Sequence, residues 1–387
     1  MDKIDLMAKN RLSVRALSNK NILLFFILLA GALLRILLLN KEIWFDEALT
    51  LYTARQPLNE LFSLLDKGFG GQPHLFPLLV RSLQKISSSF IWIRCWLLGF
   101  SLISLYMTYR IGKIIFNETV GLLSCALMAF SKIYISFSIE IRCYSVWILL
   151  SLFSIFFFLK SSKKPSLKNM TFLVLSTTLC IYAHYFGLFI LLVQFLMLFL
   201  NRKMLQGYKK VWMAFFASMI ILLIPVMVHQ MGIFLKTPIW VESYRLYPSH
   251  LKDSFQIFFA YSNGRLTTLL IFAVMIHVII LNLKKLFPSG LTPSKFLIFL
   301  NFHIEHSYQK SFILLYILLP IFLSCGFMLF GLFFLAYSRY YLPFMISYYW
   351  IISWCIYFES KIIRSWISAG LIILMLNHAV IYSKYTP

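Results

Sequence analysis

Acidic residues are scarce in this chain. Aspartate and glutamate number 13 in 387 residues, against 36 lysines and arginines. None of the acids falls inside an apolar run, and Arg35 is the only basic residue deep within one. Transporters and pumps usually carry ionisable groups or broken helices near the bilayer midplane, so this shortage counts against that class. Charge as a whole is low, at 13 % of residues, which excludes a soluble domain of this size. The six cysteines (95, 125, 143, 180, 325 and 355) lie in or at the ends of apolar runs, and no CxxC occurs. They read as small apolar helix residues, not as a disulfide framework. Internal repeats and low-complexity tracts are absent as well.

What is present is apolar surface. Hydrophobic residues make up 60 % of the chain, and the mean hydropathy is +0.82. Repeated apolar runs predict an all-α polytopic membrane protein. The first run, 21–39, follows a basic segment with Lys3, Lys9, Arg11, Arg15 and Lys20, as a signal peptide would. It is too long for a signal core and lacks a small-residue cleavage site, so it reads as a retained span. Eleven spans are expected, at 21–40, 91–109, 119–136, 143–160, 170–184, 187–201, 211–231, 265–283, 312–335, 340–357 and 365–383.

The net charge of +23 could suggest nucleic acid, but its distribution does not. Lysines and arginines cluster at 160–168, 202–210, 284–310 and 361–364, between spans. That is the positive-inside pattern, with anionic lipid headgroups as partner and no nucleic acid. It places residues 1–20 as a basic cytoplasmic N-terminus, followed by one transmembrane domain over 21–387. Two segments of that domain then face outward, 41–90 and 232–264. The two sequons, at Asn117 and Asn169, fall on the inner side and are expected to stay unglycosylated.

The first outer segment is patterned. Apolar residues at 48, 51, 52, 58, 61, 62 and 65 form a helical stripe, and 76–86 continues it after the break "GFGGQP". Such helices lie in the membrane interface. The segment opens with "IWFDEALT", where Asp46 and Glu47 adjoin. Asp46 could be a helix N-cap. The pair stands about 100° apart around a helix, so one acid can face a cavity while the other faces its supports. Three further motifs end spans on the same side. "SFSIEIRCYS" carries Glu140, Arg142 and Tyr144; "YAHYFG" carries His184 and Tyr185; "YSRYYLP" carries Arg339. Each alone has an ordinary reading as an interfacial ion pair, hydrogen-bonded spacer or aromatic belt. Together they give one face carboxylates, cations and aromatics. That set suits a lipid-linked sugar phosphate: cations for the phosphate, aromatics for the sugar and a carboxylate for a hydroxyl proton.

In this order the motifs resemble the bacterial protein O-mannosyltransferase and lipid A aminoarabinose-transferase superfamily, which has the GT-C membrane fold. The resemblance is carried by "IWFDEALT" (43–50), "QPHLFPLLVRSLQ" (72–84), 93–131, 134–154, "IYAHYFGLFILLVQ" (181–194) and "SRYYLP" (338–343). Gln72-Pro73-His74-Leu75 stands where the family often has His-Pro-Pro-Leu. The resemblance implies an integral protein of the bacterial inner membrane whose active site faces outward. The implied activity is an inverting glycosyltransferase with a polyprenyl-phosphate-linked sugar donor and a lipid, glycan or protein acceptor. It implies Asp46 as the catalytic base, with Glu47 and Glu140 also in the catalytic site. Arg94, Arg142, Lys85 and Arg339 are the phosphate-binding candidates, and Trp44, His74, Tyr144, His184 and Tyr185 the substrate-binding ones. A divalent metal could share the phosphate's charge, with Glu47, Glu140 or His184 as ligands. The competing class is a transporter or flippase of a lipid-linked sugar.

Overall fold

The computed structural model describes residues 3–200, 208–236, 260–286 and 338–385, together with Leu315, Tyr316 and Phe322. Among these residues every regular element is helical. The first helix, α1 (Lys3–Ile36), is followed by three short ones, α2 (Phe45–Arg55), α3 (Leu58–Asp66) and α4 (Leu75–Gln84). Then come α5 (Phe90–Ile115), α6 (Glu118–Ala129), α7 (Lys132–Ile139), α8 (Tyr144–Lys163), α9 (Leu167–Ala183) and α10 (Gly187–Leu200). The remaining helices are α11 (Lys209–Lys236), α12 (Arg265–Leu286), α13 (Ile346–Tyr357) and α14 (Lys361–Tyr385). This is an all-α polytopic membrane protein.

A helix lies at ten of the eleven expected spans. Most of the ninth, 312–335, and most of the outer segment 232–264 lie outside the described residues. Among the described residues five helices are long and apolar enough to cross a membrane, six if α6 and α7 count as one bent span, and three shorter apolar helices accompany them. The helix α1 runs unbroken from Lys3, through the basic N-terminal segment, into the first span. Two expectations need correction. The span at 340–357 is a 3₁₀ turn at Ser338–Tyr341 followed by the 12-residue α13. The span at 119–136 is broken at Phe130 and bends by 66°.

The break is built from polar contacts. Asn263 donates from Nδ2 to the Phe130 carbonyl at 2.9 Å and accepts the Lys132 N–H at 2.7 Å. Buried Arg35 on α1 donates to the Ala129 carbonyl at 3.1 Å and, through Nε, to Ser101 on α5 at 2.9 Å. The backbone groups freed where α6 stops are thereby satisfied inside an apolar bundle, where leaving them bare would be costly. Beside it α5 and α6 cross closely at Gly112 and Gly121. A Cβ on Gly121 would stand 2.5 Å from the Tyr109 carbonyl oxygen, so only glycine fits.

The two ends of the bundle differ. At one, Lys20 of α1 and Lys113 of α5 pair with Glu118 at the start of α6. At the other, α2, α3 and α4 cover the tops of the helices. There α2 packs on α4, α4 on α5 and α9, and α3 on α11.

Candidate active site

Asp46 and Glu47 occupy the second and third positions of α2. Trp44 is the N-cap residue, so Asp46 does not cap the helix. Glu47 performs that task, accepting the Trp44 N–H at 3.3 Å. The two carboxylates then part. Glu47 is 1 % exposed, whereas the Asp46 side chain is 24 % exposed.

Glu47 is a support. Both its oxygens take Arg94 Nη2 at 3.1 Å, and Oε1 also accepts the Ile141 N–H at 2.8 Å. Arg94 is equally buried and donates to the carbonyls of Leu39 at 2.9 Å, Glu42 at 3.3 Å and Lys41. Its Nη groups are thus committed to holding the chain between α1 and α2. Arg94 thus acts as a clamp in the wall of the cleft that Glu47 and Glu140 also line.

Asp46 lies between two guanidiniums. Its Oδ2 is 3.8 Å from Arg142 Nη2 and 3.7 Å from Arg339 Nη1. Those separations are ion pairs without hydrogen-bond contact. Arg142 is held from behind by the Gly70 carbonyl, at 3.2 Å from each Nη, and by Thr50 Oγ1 at 3.4 Å. Gln72 donates to the same Thr50 hydroxyl at 3.1 Å. The loop between α3 and α4 therefore positions Arg142. Gly68, Gly70 and Gly71 all have left-handed φ there, at 77°, 80° and 59°. Glycine alone adopts this freely, and it lets the Gly70 carbonyl point at the guanidinium.

Glu140 ends α7 beside Glu47, in a small cleft also lined by Lys41, Trp44, Ser136 and Arg94. Its buried Oε2 has no hydrogen-bond partner among the described residues. Burial first, and then the negative charge of Glu47, push its pKa up to about 8. Both causes favour the protonated, hydrogen-bond-donating form of Glu140.

An aromatic wall completes this end. His184 stacks on Trp147 with ring centres 4.1 Å apart, and Tyr144, Phe186 and Tyr340 surround it. Burial, then the charges of Arg142 and Arg339, lower the His184 pKa to about 3, so the ring is neutral. Its Nδ1 accepts the Phe186 N–H at 3.2 Å, which leaves the ring proton on Nε2. Tyr185 follows, with a buried hydroxyl that has no hydrogen-bond partner among the described residues.

Not every expected residue joins this group. Lys85 is exposed beyond the end of α4 and makes no ion pair among the described residues. His74 sits elsewhere, against Asp66 and His229. Burial, then His229, lower its pKa, and Asp66 acts the other way. Glu47, Glu140 and His184 do not gather as a metal-ligand set: Glu47 is spent on Arg94 and Ile141, and Nδ1 of His184 on Phe186. Sequence reasoning missed Thr50, Gly70, Trp147 and Tyr340, which carry no charge, and His229, which hides at the end of an apolar run.

A family model described as dolichyl-phosphate-mannose-protein mannosyltransferase matches residues 72–229. No curated protein matches the chain.

Proposed function

We propose that the chain, whose residues 72–229 match the dolichyl-phosphate-mannose-protein mannosyltransferase model, is a membrane glycosyltransferase that uses a lipid-linked sugar donor. It moves a sugar from a polyprenyl-phosphate-linked donor to an acceptor hydroxyl (or phosphate) at the extracytoplasmic face, with inversion and with Asp46 as base. The observation that carries this reading is the partly exposed Asp46 carboxylate between Arg142 and Arg339.

The donor phosphodiester is a monoanion that competes with Asp46 for those guanidiniums, and its charge grows toward two as the polyprenyl phosphate leaves. Loose pairs at 3.7 and 3.8 Å are easily exchanged for direct contacts with phosphate oxygens. Binding the donor thus releases Asp46 from its pairs at the moment its carboxylate is needed. The acceptor O–H proton passes to Asp46 while the oxygen bonds to the anomeric carbon. The bond from that carbon to the phosphate oxygen breaks, and its electron pair leaves with the polyprenyl phosphate. One displacement on the face opposite the leaving group inverts the centre. The leaving phosphate needs charge neutralisation and not protonation, so one base suffices where glycosidases need two carboxyls. Trp44, Tyr144, Tyr185 and neutral His184 would face the sugar, and Glu140, protonated, would donate a hydrogen bond.

The test is transfer from a defined polyprenyl-phosphate sugar in detergent or liposomes. Asp46→Asn should remain folded and lose about 10²–10⁴-fold in rate, the usual cost of losing a general base. Full activity in that variant would remove Asp46 from the role.

A further inference from the structure

Asp66, His74 and His229 converge from three elements. Asp66 is the last residue of α3, His74 precedes α4, and His229 stands near the outer end of α11. Asp66 Oδ1 is 3.0 Å from His229 Nδ1 and 3.6 Å from His74 Nε2. All three ligand atoms lie within 4.8 Å of one another. The imidazole ring centres lie 4.2 Å apart, with the ring planes tilted by 54°. His229 Nε2 is buried with no hydrogen-bond partner among the described residues, so Nδ1 is the nitrogen turned to the group.

We infer that these three side chains bind a divalent cation of the Zn²⁺ type, which fastens the glycine loop that holds Arg142 to the end of α11. Ligand bonds of about 2.1 Å in a tetrahedron set neighbouring ligand atoms about 3.4 Å apart. The two separations to Asp66 Oδ1 lie on either side of that value. Two imidazoles and one carboxylate favour a borderline cation over Mg²⁺ or Ca²⁺, which take oxygen. Asp66 is 61 % exposed, which gives the ion an entry path and leaves room for a water as fourth ligand.

The placement gives the ion its task. Asp66 and His74 bracket residues 67–73, the loop whose Gly70 carbonyl holds both Nη groups of Arg142. A loop with three left-handed glycines has the most freedom to lose on ordering. A cation tying both its ends to α11 restricts that freedom before any ligand arrives. The inference concerns binding and loop order, and it stands whether or not the proposed transfer is correct.

The experiment uses the full chain in detergent, stripped with a chelator and titrated with Zn²⁺. Metal is counted by elemental analysis after desalting, and Co²⁺ provides a visible spectrum. One ion per chain is expected. D66N, H74Q and H229Q should each weaken binding at least tenfold and abolish the tetrahedral Co²⁺ band, while H378Q should not. Hydrogen exchange at 67–73 should slow when Zn²⁺ is added to the wild type and stay unchanged in H229Q. Melting of the metal-free variants at the temperature of the metal-free wild type shows that they fold. Absence of stoichiometric Zn²⁺, or binding indifferent to all three substitutions, overturns the site and leaves a hydrogen-bonded Asp–His–His group. Binding without slower exchange at 67–73 overturns the fastening role.

Discussion

Adjacent carboxylates with different fates are the most informative feature at the residue scale. Asp46 and Glu47 share a helical turn, yet one is partly exposed between Arg142 and Arg339 and the other lies buried against Arg94. Removing one partner of a buried pair strands the other charge, at about 3–5 kcal/mol. Glu47→Gln should therefore lower the melting temperature sharply, and Asp46→Asn should not. Thermal melts of both variants beside the transfer assay separate support from chemistry. Arg142→Lys keeps a charge but not the fork that spans Gly70, Thr50 and Asp46, so it should recover little donor binding. A loss of about 1.5–3 kcal/mol is expected for one charge-assisted bond, read by donor titration. Glu140 makes a separate prediction with pH. Its folded pKa of about 8 exceeds the model-compound value of 4.5. The folded state then holds a proton that the unfolded chain has lost. Its contribution is fully present below 4.5 and disappears as pH rises to about 8. The melting temperature of wild type should fall across that window relative to Glu140→Gln. Parallel curves for the two proteins would show that Glu140 ionises normally.

Among the elements, the break between α6 and α7 decides where Glu140 and Arg142 stand. It turns the chain by 66°, so α7 brings its C-terminus to the cleft. Asn263 satisfies backbone groups on both sides of the break. Asn263→Ala should cost about 1–3 kcal/mol for each buried group left bare, and should move Glu140 as well as destabilise. Melting temperature together with the Glu140 pH dependence would detect both effects. Ser131-Lys132 is the one polar interruption at the break within 119–136. The run contains no proline, and the residue that stabilises the bend, Asn263, lies 133 positions beyond Phe130. Hydropathy registers burial along a run and is blind to such remote partners. The helices of 41–90 were legible because a stripe at 3.6-residue spacing reflects one buried face, and α2, α3 and α4 bury theirs. Charged residues that end spans were legible as one face. Their division of labour was not, since burial of Glu47 and Arg94 depends on how α2 and α5 pack. Thr50 and the Gly70 carbonyl gave no signal, because their contribution is geometry and not charge.

The whole molecule is polarised, and the proposed chemistry depends on which side each end faces. One end carries Lys20 and Lys113 around Glu118, with Lys160 and Lys163 in the last turn of α8. The opposite end carries the cleft beneath α2, α3 and α4. Lysine and arginine are retained on the cytoplasmic side during insertion, so the first end should be cytoplasmic and the cleft external. Ser63 on α3 and Lys164 after α8 are both exposed and belong to opposite ends. In sealed cells, a membrane-impermeant thiol reagent should label Ser63→Cys promptly. Lys164→Cys should be labelled only after the membrane is opened. The exposed native Cys95 sits on a span, so the parent for both variants should carry Cys95→Ser to keep the background low. The reverse pattern would turn the cleft toward the cytoplasm. The donor would then be met on that side, and an extracytoplasmic acceptor could not be reached. Because a polyprenyl-phosphate sugar exposes its phosphate at one leaflet at a time, the labelling result also fixes the leaflet from which Arg142 and Arg339 could take it.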